Sequence, residues 1–312
     1  MREAVLRWET VMVISRRAYR GETDSSLIGE FIRDMPLTCR HLIDLPWRLS
    51  SPAAEAGRNA CIWEDDNGKV IGFAAWQVYW ASLDFFVYRG PLRQAVETAI
   101  FSWATERFRE LDLERGKPLP YWVEYRDDDL ERCRLAEAHG FLLDEEIYVQ
   151  FEHSFSESLP TPELPDGFSL RPLAGEQEVS AYAELHRAAF ASTSMTADWR
   201  ARTLRMPQYR PELDLVVVAP NNDLAGFCVG WLDQERHIGQ IEPMGIYPHF
   251  QKLGLSRALL LEILRRFKEH GAAYALVETD LERSTARHAY ESAGFRPVHS
   301  IRSKGKWVSQ AT

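Results

Sequence analysis

The chain repeats itself at a fixed offset. Ser15, Arg17, Gly21 and Glu22 recur as Ser169, Arg171, Gly175 and Glu176, 154 residues further on. At the same offset Asn67, Gly72 and Phe73 recur as Asn221, Gly226 and Phe227, and Glu137, Gly140 and Phe141 as Glu291, Gly294 and Phe295. Three separated clusters sharing one offset read as a duplicated domain. The copies diverge in a telling way. The Gly-containing segment Gln251-Lys252-Leu253-Gly254-Leu255-Ser256 has no counterpart in the first copy, and Tyr290 falls opposite Ala136. The expectation is that one copy keeps its chemistry and the other serves as a scaffold.

The boundary between the copies is legible. Residues 158–167 hold three prolines and no helical or strand period, so they read as a linker. The expected division is a first unit over 1–157, a linker over 158–167 and a second unit over 168–312. A length of 312 residues accommodates two domains, and 45% apolar residues with ten Trp is the composition of a chain that buries cores. No apolar run is long enough to span a bilayer. Charges run through Met1–Glu9, which excludes a secretory leader there. Cys39, Cys61, Cys133 and Cys228 are scattered without metal-like spacing and read as reduced thiols, so a cytoplasmic protein with no metal is expected. The net charge of −9 argues against nucleic-acid binding and is compatible with a cationic substrate. Monomer and homodimer both remain open, since an internal duplication can replace a partner.

The periodicity predicts a mixed α/β (α+β) fold in each unit. In the second unit 168–170, 213–218, 224–231, 240–247 and 274–278 read as strands. Residues 179–190 have helical spacing. Leu255, Leu259, Leu260, Ile263, Leu264 and Phe267 form the apolar face of a long helix. Ser284 is expected to cap a last short helix ended by Gly294. The first unit follows the same outline, with strands at 70–76, 85–88 and 121–125 and helices at 92–111 and 130–140.

A loop that opens a helix leaves several N–H groups without intrahelical partners, and these suit a pyrophosphate. Gly254 allows close approach there. This segment, with Ile246-Tyr247-Pro248 before it, resembles the Gln/Arg-x-x-Gly-x-Gly/Ala loop of the GNAT acetyltransferase superfamily, with Ser256 in the last small position. Ala289-Tyr290-Glu291-Ser292-Ala293-Gly294-Phe295 resembles that family's Leu-Tyr-x-x-x-Gly-Phe signature. The resemblance covers most of 168–300. It implies a GNAT-like fold for each unit, a mixed, mostly antiparallel central sheet flanked by helices, with acetyl-CoA as cosubstrate, its pyrophosphate on the backbone of Gln251, Lys252, Leu253, Gly254, Leu255 and Ser256, and its pantetheine along Met244, Gly245 and Ile246. The two units together resemble tandem acetyltransferases with a degenerate N-terminal copy.

Acetyl transfer to an amine needs a proton acceptor for the amine, an aligned thioester, donors for the oxyanion and a proton for the leaving thiolate. Tyr290 is the candidate acid, since a phenol is protonated at neutral pH. Glu242 is the candidate base, with a water chain or His237 as alternatives, and the resemblance makes Ile246 N–H the oxyanion donor. The acceptor, a primary amine of a small molecule, is expected to lie against 190–199. There Asp198 reads as complementing the dipole of a helix capped by Thr196, with pairing to an ammonium as the alternative. Arg283 stands where the family usually has Asn. In the first unit Gly90 comes too early, Pro91 lacks an N–H, and Glu97 is expected near the phosphate position, so that copy should not turn over acetyl-CoA. A non-catalytic acyl-CoA-binding regulatory module is the alternative to the enzyme.

Overall fold

The computed structural model describes residues 13–55, 57–155 and 158–307; Met1–Glu9, the segment expected not to be a secretory leader, lie outside them. The first unit runs β1 (Ser15–Ala18), α1 (Glu22–Phe31), α2 (Leu45–Leu49), α3 (Pro52–Glu55), β2 (Ala60–Glu64), β3 (Val70–Gln77), β4 (Ser82–Val87), α4 (Arg93–Arg115), β5 (Tyr121–Arg126), α5 (Leu130–Ala138) and β6 (Leu143–Ser154). The second runs β7 (Ser169–Pro172), α6 (Val179–Phe190), α7 (Ala197–Arg205), β8 (Asp214–Val218), β9 (Leu224–Asp233), β10 (Ile238–Ile246), α8 (Leu255–Glu269), β11 (Tyr274–Asp280), α9 (Ser284–Ser292) and β12 (Arg296–Lys306). The fold is therefore the expected mixed α/β one, with helices flanking a sheet.

The sheet is continuous across both units. Its twelve strands lie in the order β1-β2-β3-β4-β5-β12-β6-β11-β10-β9-β8-β7. All pairs are antiparallel except β4 with β5 and β10 with β11. The repeat makes β6 the counterpart of β12, yet each lies against the other unit: β12 pairs with β5, and β6 pairs with β11. The units have exchanged their last strands. An unpaired strand edge leaves N–H and C=O groups exposed, and the exchange closes two such edges against each other.

Helix α8 forms because its apolar residues recur at helical spacing. Leu259, Leu260, Ile263, Leu264 and Phe267 are all fully buried against β8, β9 and β10. Each such side chain contributes about 1.5–3 kcal/mol of burial. On the opposite face Arg265 pairs with Glu262 and Glu269. In the last helix Ser284 is the first helical residue rather than the cap; Arg283 holds the cap position and no side chain bonds the first turn. No helix among the described residues is long and apolar enough to cross a membrane.

Candidate active site

Strand β10 carries the site because its pairing changes along its length. Its parallel ladder with β11 covers Ile238–Ile241 and stops. Its register against β9 shifts between Ile241 and Met244, then resumes as Met244 with Cys228, Gly245 with Phe227 and Ile246 with Gly226. A bulge of this kind bends the strand, so β10 and β11 part beyond Ile241. Tyr247 N–H donates to Ala225 O on the β9 side, 2.9 Å away. N–H groups alternate along a strand, so Ile246 N–H and Met244 N–H point into the gap. Gly245 has no room for a side chain, since a Cβ there would lie 2.8 Å from Ala189 Cβ and from the Phe227 ring.

The gap opens into a cavity of about 330 Å³. Glu242, Met244 and Tyr290 line it, so the structure brings both candidate catalytic side chains to one cavity. The Glu242 carbonyl accepts from Trp231 Nε1 at 2.6 Å. Its carboxylate is half-buried and has no hydrogen-bond partner among the described residues. Burial pushes that carboxyl up to about 8; Asp44 and Glu278 add to the rise, and Arg48 and Arg40 oppose it. Burial, then Glu242 and Cys228, raise the Tyr290 phenol far above its ordinary range, so it keeps its proton at neutral pH. His186 also lines the cavity and is neutral, pushed down to about 3 by burial and by Arg200 and Arg187.

The loop ahead of α8 is exposed. Lys252 (φ 64°) and Gly254 (φ 79°) are left-handed, and no side chain caps the helix. A Cβ on Gly254 would meet nothing within 4 Å, so the space above it is open. Exposed first-turn N–H groups on a 15-residue helix fit an anionic phosphate group.

Other expected residues lie elsewhere. His237 sits at the opposite end of β10, outside the cavity lining, with Nδ1 3.0 Å from Gly271 O. Asp198 is exposed in the first turn of α7, where Thr196 Oγ1 accepts from Trp199 N at 3.0 Å. Phe190 and Trp199 do line the cavity, with Ser192 and Ser194.

The structure adds residues that sequence reasoning missed. Trp47, Trp80 and Tyr148 reach the cavity from the first unit. Glu278 joins them, its Oε2 accepting from Arg40 Nη2 at 2.6 Å and its Oε1 from Gln150 Nε2 at 3.0 Å. Arg40 also pairs with Glu124 of its own unit, so its bond to Glu278 ties the two units together. Nothing local in the sequence marks these side chains, because they meet only through the shared sheet.

The first unit has the same strand gap, filled from within. Strands β4 and β5 pair only at Ser82 with Trp122. Gln240 pairs with Leu276, the repeat counterpart of Trp122. Two residues further on, Asp84 therefore answers to Glu242. Asp84 is held by Arg48 at 2.6 Å and by Gln77 at 2.8 Å. Burial pushes its carboxyl up, but Arg48 and His41 outweigh that and hold it below the ordinary range. Arg132, the counterpart of Ala286, spans the gap, donating to Glu124 O (2.9 Å) and Phe85 O (3.0 Å). Only about 50 Å³ of cavity remains. Helix α4 begins at Arg93, earlier than the offset implies, so Glu97 lies inside it, paired with Arg93 at 2.7 Å, and not at a phosphate position.

Residues 179–295 match the family model described as the Acetyltransferase (GNAT) family. The chain is 27% identical over 248 residues to a mycothiol acetyltransferase of Thermomonospora curvata, covering 77% of this chain and 80% of that one. Among solved structures, a GCN5-related N-acetyltransferase from Sphaerobacter thermophilus superposes with TM-score 0.60 at 21% identity, over 96% of this chain and 97% of that one. A tandem GNAT protein from the clavulanic acid biosynthesis pathway gives TM-score 0.63 at 13% identity, over 96% and 100%. At these identities the structural likenesses speak for the fold.

Proposed function

We propose that this chain, whose residues 179–295 match the GNAT acetyltransferase family model, is a GNAT acetyltransferase whose second unit transfers the acetyl group of acetyl-CoA to a primary amine of a small molecule. One observation carries the reading: a partnerless carboxylate and a protonated phenol share a cavity that opens onto the unpaired stretch of β10. The thioester supplies an activated acetyl group. Met244 and Ile246 offer N–H groups to a chain lying in the gap, with Ile246 N–H as donor to the acetyl oxygen. Residues 251–256 offer N–H groups and a helix N-terminus to the pyrophosphate. Glu242 takes one proton from the ammonium, the amine nitrogen bonds to the acetyl carbon, the carbon–sulfur bond breaks as Tyr290 gives its proton to the sulfur, and the second proton shed by the nitrogen restores the Tyr290 phenol. The first unit, its gap closed by Arg132, contributes walls and not a second reaction.

Calorimetric titration of acetyl-CoA, followed by a thiol-release screen of amines, tests this. The expected result is one binding site, with thiol release dependent on an amine. The acceptor of the mycothiol acetyltransferase relatives is one arm of that screen. Two binding sites would overturn the single-site reading. Binding with no turnover on any amine would leave a non-catalytic acyl-CoA-binding module.

A further inference from the structure

The cavity has an acidic pole and a cationic one. At the acidic pole stand Glu242, Glu278 and Asp280. Glu278 is already satisfied by Arg40 and Gln150, and Asp280 Oδ1 accepts from Glu282 N at 2.9 Å. Of the three, the Glu242 carboxylate is the one with no hydrogen-bond partner among the described residues, which offers it to a ligand amine.

Beyond Arg200 and Arg187, which act on His186, the arginines Arg40, Arg48 and Arg283 act on the cavity or its walls. Arg40 is spent on Glu124 and Glu278, and Arg48 on Asp84. Arg283 forms no ion pair and donates no side-chain hydrogen bond among the described residues. It leaves the end of β11 at the N-cap of α9, and its guanidinium lies over the Phe190 ring, 5.5 Å from the centroid. Phe190 belongs to α6, across the cavity. Arg283 is exposed, and its guanidinium stands beside Phe190 at the solvent edge of the cavity lining. Its charge is felt at the Tyr290 phenol, where it opposes the effects of burial and of Glu242. A guanidinium offers a rigid fork of donors matched to a carboxylate, and this one has no carboxylate of its own. Ser192 and Ser194, hydrogen-bonded to each other at 2.8 Å, add hydroxyls to the lining.

We infer that Arg283 is a specificity-determining residue that selects acceptors carrying a carboxylate as well as the reacting amine, as in amino acids and short peptides. This rests on the acetyl-transfer reading above. The amine lies at Glu242 and Tyr290, and the carboxylate lies at the mouth under Arg283. The two poles then fix the acceptor's direction, so the free amine points at the strand gap.

Matched amines test it on the full-length protein with acetyl-CoA as donor and thiol release as readout. The pairs are L-lysine with cadaverine and L-phenylalanine with phenethylamine. The wild type is expected to prefer the carboxylate member of a pair in kcat/KM by about tenfold or more, the scale of one charge-assisted interaction. Arg283→Gln should erase the preference through KM, with kcat and the calorimetric affinity for CoA unchanged. Arg283→Lys should restore part of it. Equal use of both members by the wild type, or turnover confined to carboxylate-free amines, overturns the inference while leaving acetyl transfer intact. A loss of CoA affinity in Arg283→Gln overturns it by placing the arginine on the cofactor. A fall in kcat on both members overturns it by placing Arg283 in the reaction itself. If no amine of any kind is acetylated, the underlying reading falls, and the inference with it.

Discussion

At the scale of single residues, Glu242 and Asp84 show how one position gains or lacks an ionic partner. They occupy equivalent places on β10 and β4. Asp84 is paired with Arg48 and Gln77 and stays ionised. Glu242 has burial without a partner, and its carboxyl rises to about 8. As a base it must be deprotonated, so kcat/KM should climb as pH rises through about 8; a pH–rate profile of the wild type checks this, and Glu242→Gln should flatten that limb. The same shift has a stability consequence of definite sign. The folded value lies above the ordinary 4.5, so the native state binds the extra proton between the two. Glu242's contribution is present below about 4.5 and is lost as pH rises through about 8. Glu242→Gln stays neutral, so its melting temperature relative to wild type should increase steadily between those values. Tyr290→Phe should lower kcat by about 10²-fold or more, the usual contribution of a positioned acid, while calorimetry finds CoA affinity unchanged. The residue types at 242 and 290 were legible in the sequence. Their partners were not, because Asp44, Glu278 and Arg48 approach from distant parts of the chain.

Secondary-structure elements decide where a ligand can enter. The loop before α8 has two left-handed residues, Lys252 and Gly254, and an uncapped first turn. Gly254→Glu would force a side chain into a left-handed backbone and place a carboxylate where phosphate is expected. It should abolish acetyl-CoA binding in a titration while a thermal melt still shows a folded protein. Element boundaries followed the sequence closely where apolar periodicity was strong, as in α6 at 179–190 and α8 from 255. They departed where the repeat offset was trusted through an insertion: α4 starts at Arg93, which moves Glu97 into the helix. In the first unit the guanidinium of Arg132 spans the gap between β4 and β5. Arg132→Ala would strand the carbonyls of Phe85 and Glu124. It should cost about 2–4 kcal/mol in denaturant unfolding, the scale of losing two charge-assisted bonds, and should not add a second CoA site.

For the whole molecule the exchange of β6 and β12 sets the terms of stability. Each unit's sheet is completed by a strand of the other. Chains of 1–160 and 161–312 made separately should therefore fail to fold, and the two made together should recover a thermal transition and acetyl-CoA binding; independent folding of either half would show that the exchange is dispensable. The exchange also brings residues of the first unit, Trp47, Trp80 and Tyr148, to the wall of the cavity in the second. By itself the sequence determined the duplication, the α/β character, the long amphipathic helix and the glycine loop, because these rest on local periodicity and on residues adjacent in the chain. Only the tertiary structure decided that two sheets become one, that Arg132 fills the first unit's strand gap, and that Glu242 stands without a partner. Those outcomes depend on which strand edges meet and which charges then lie side by side, and neither is encoded within a window of neighbouring residues.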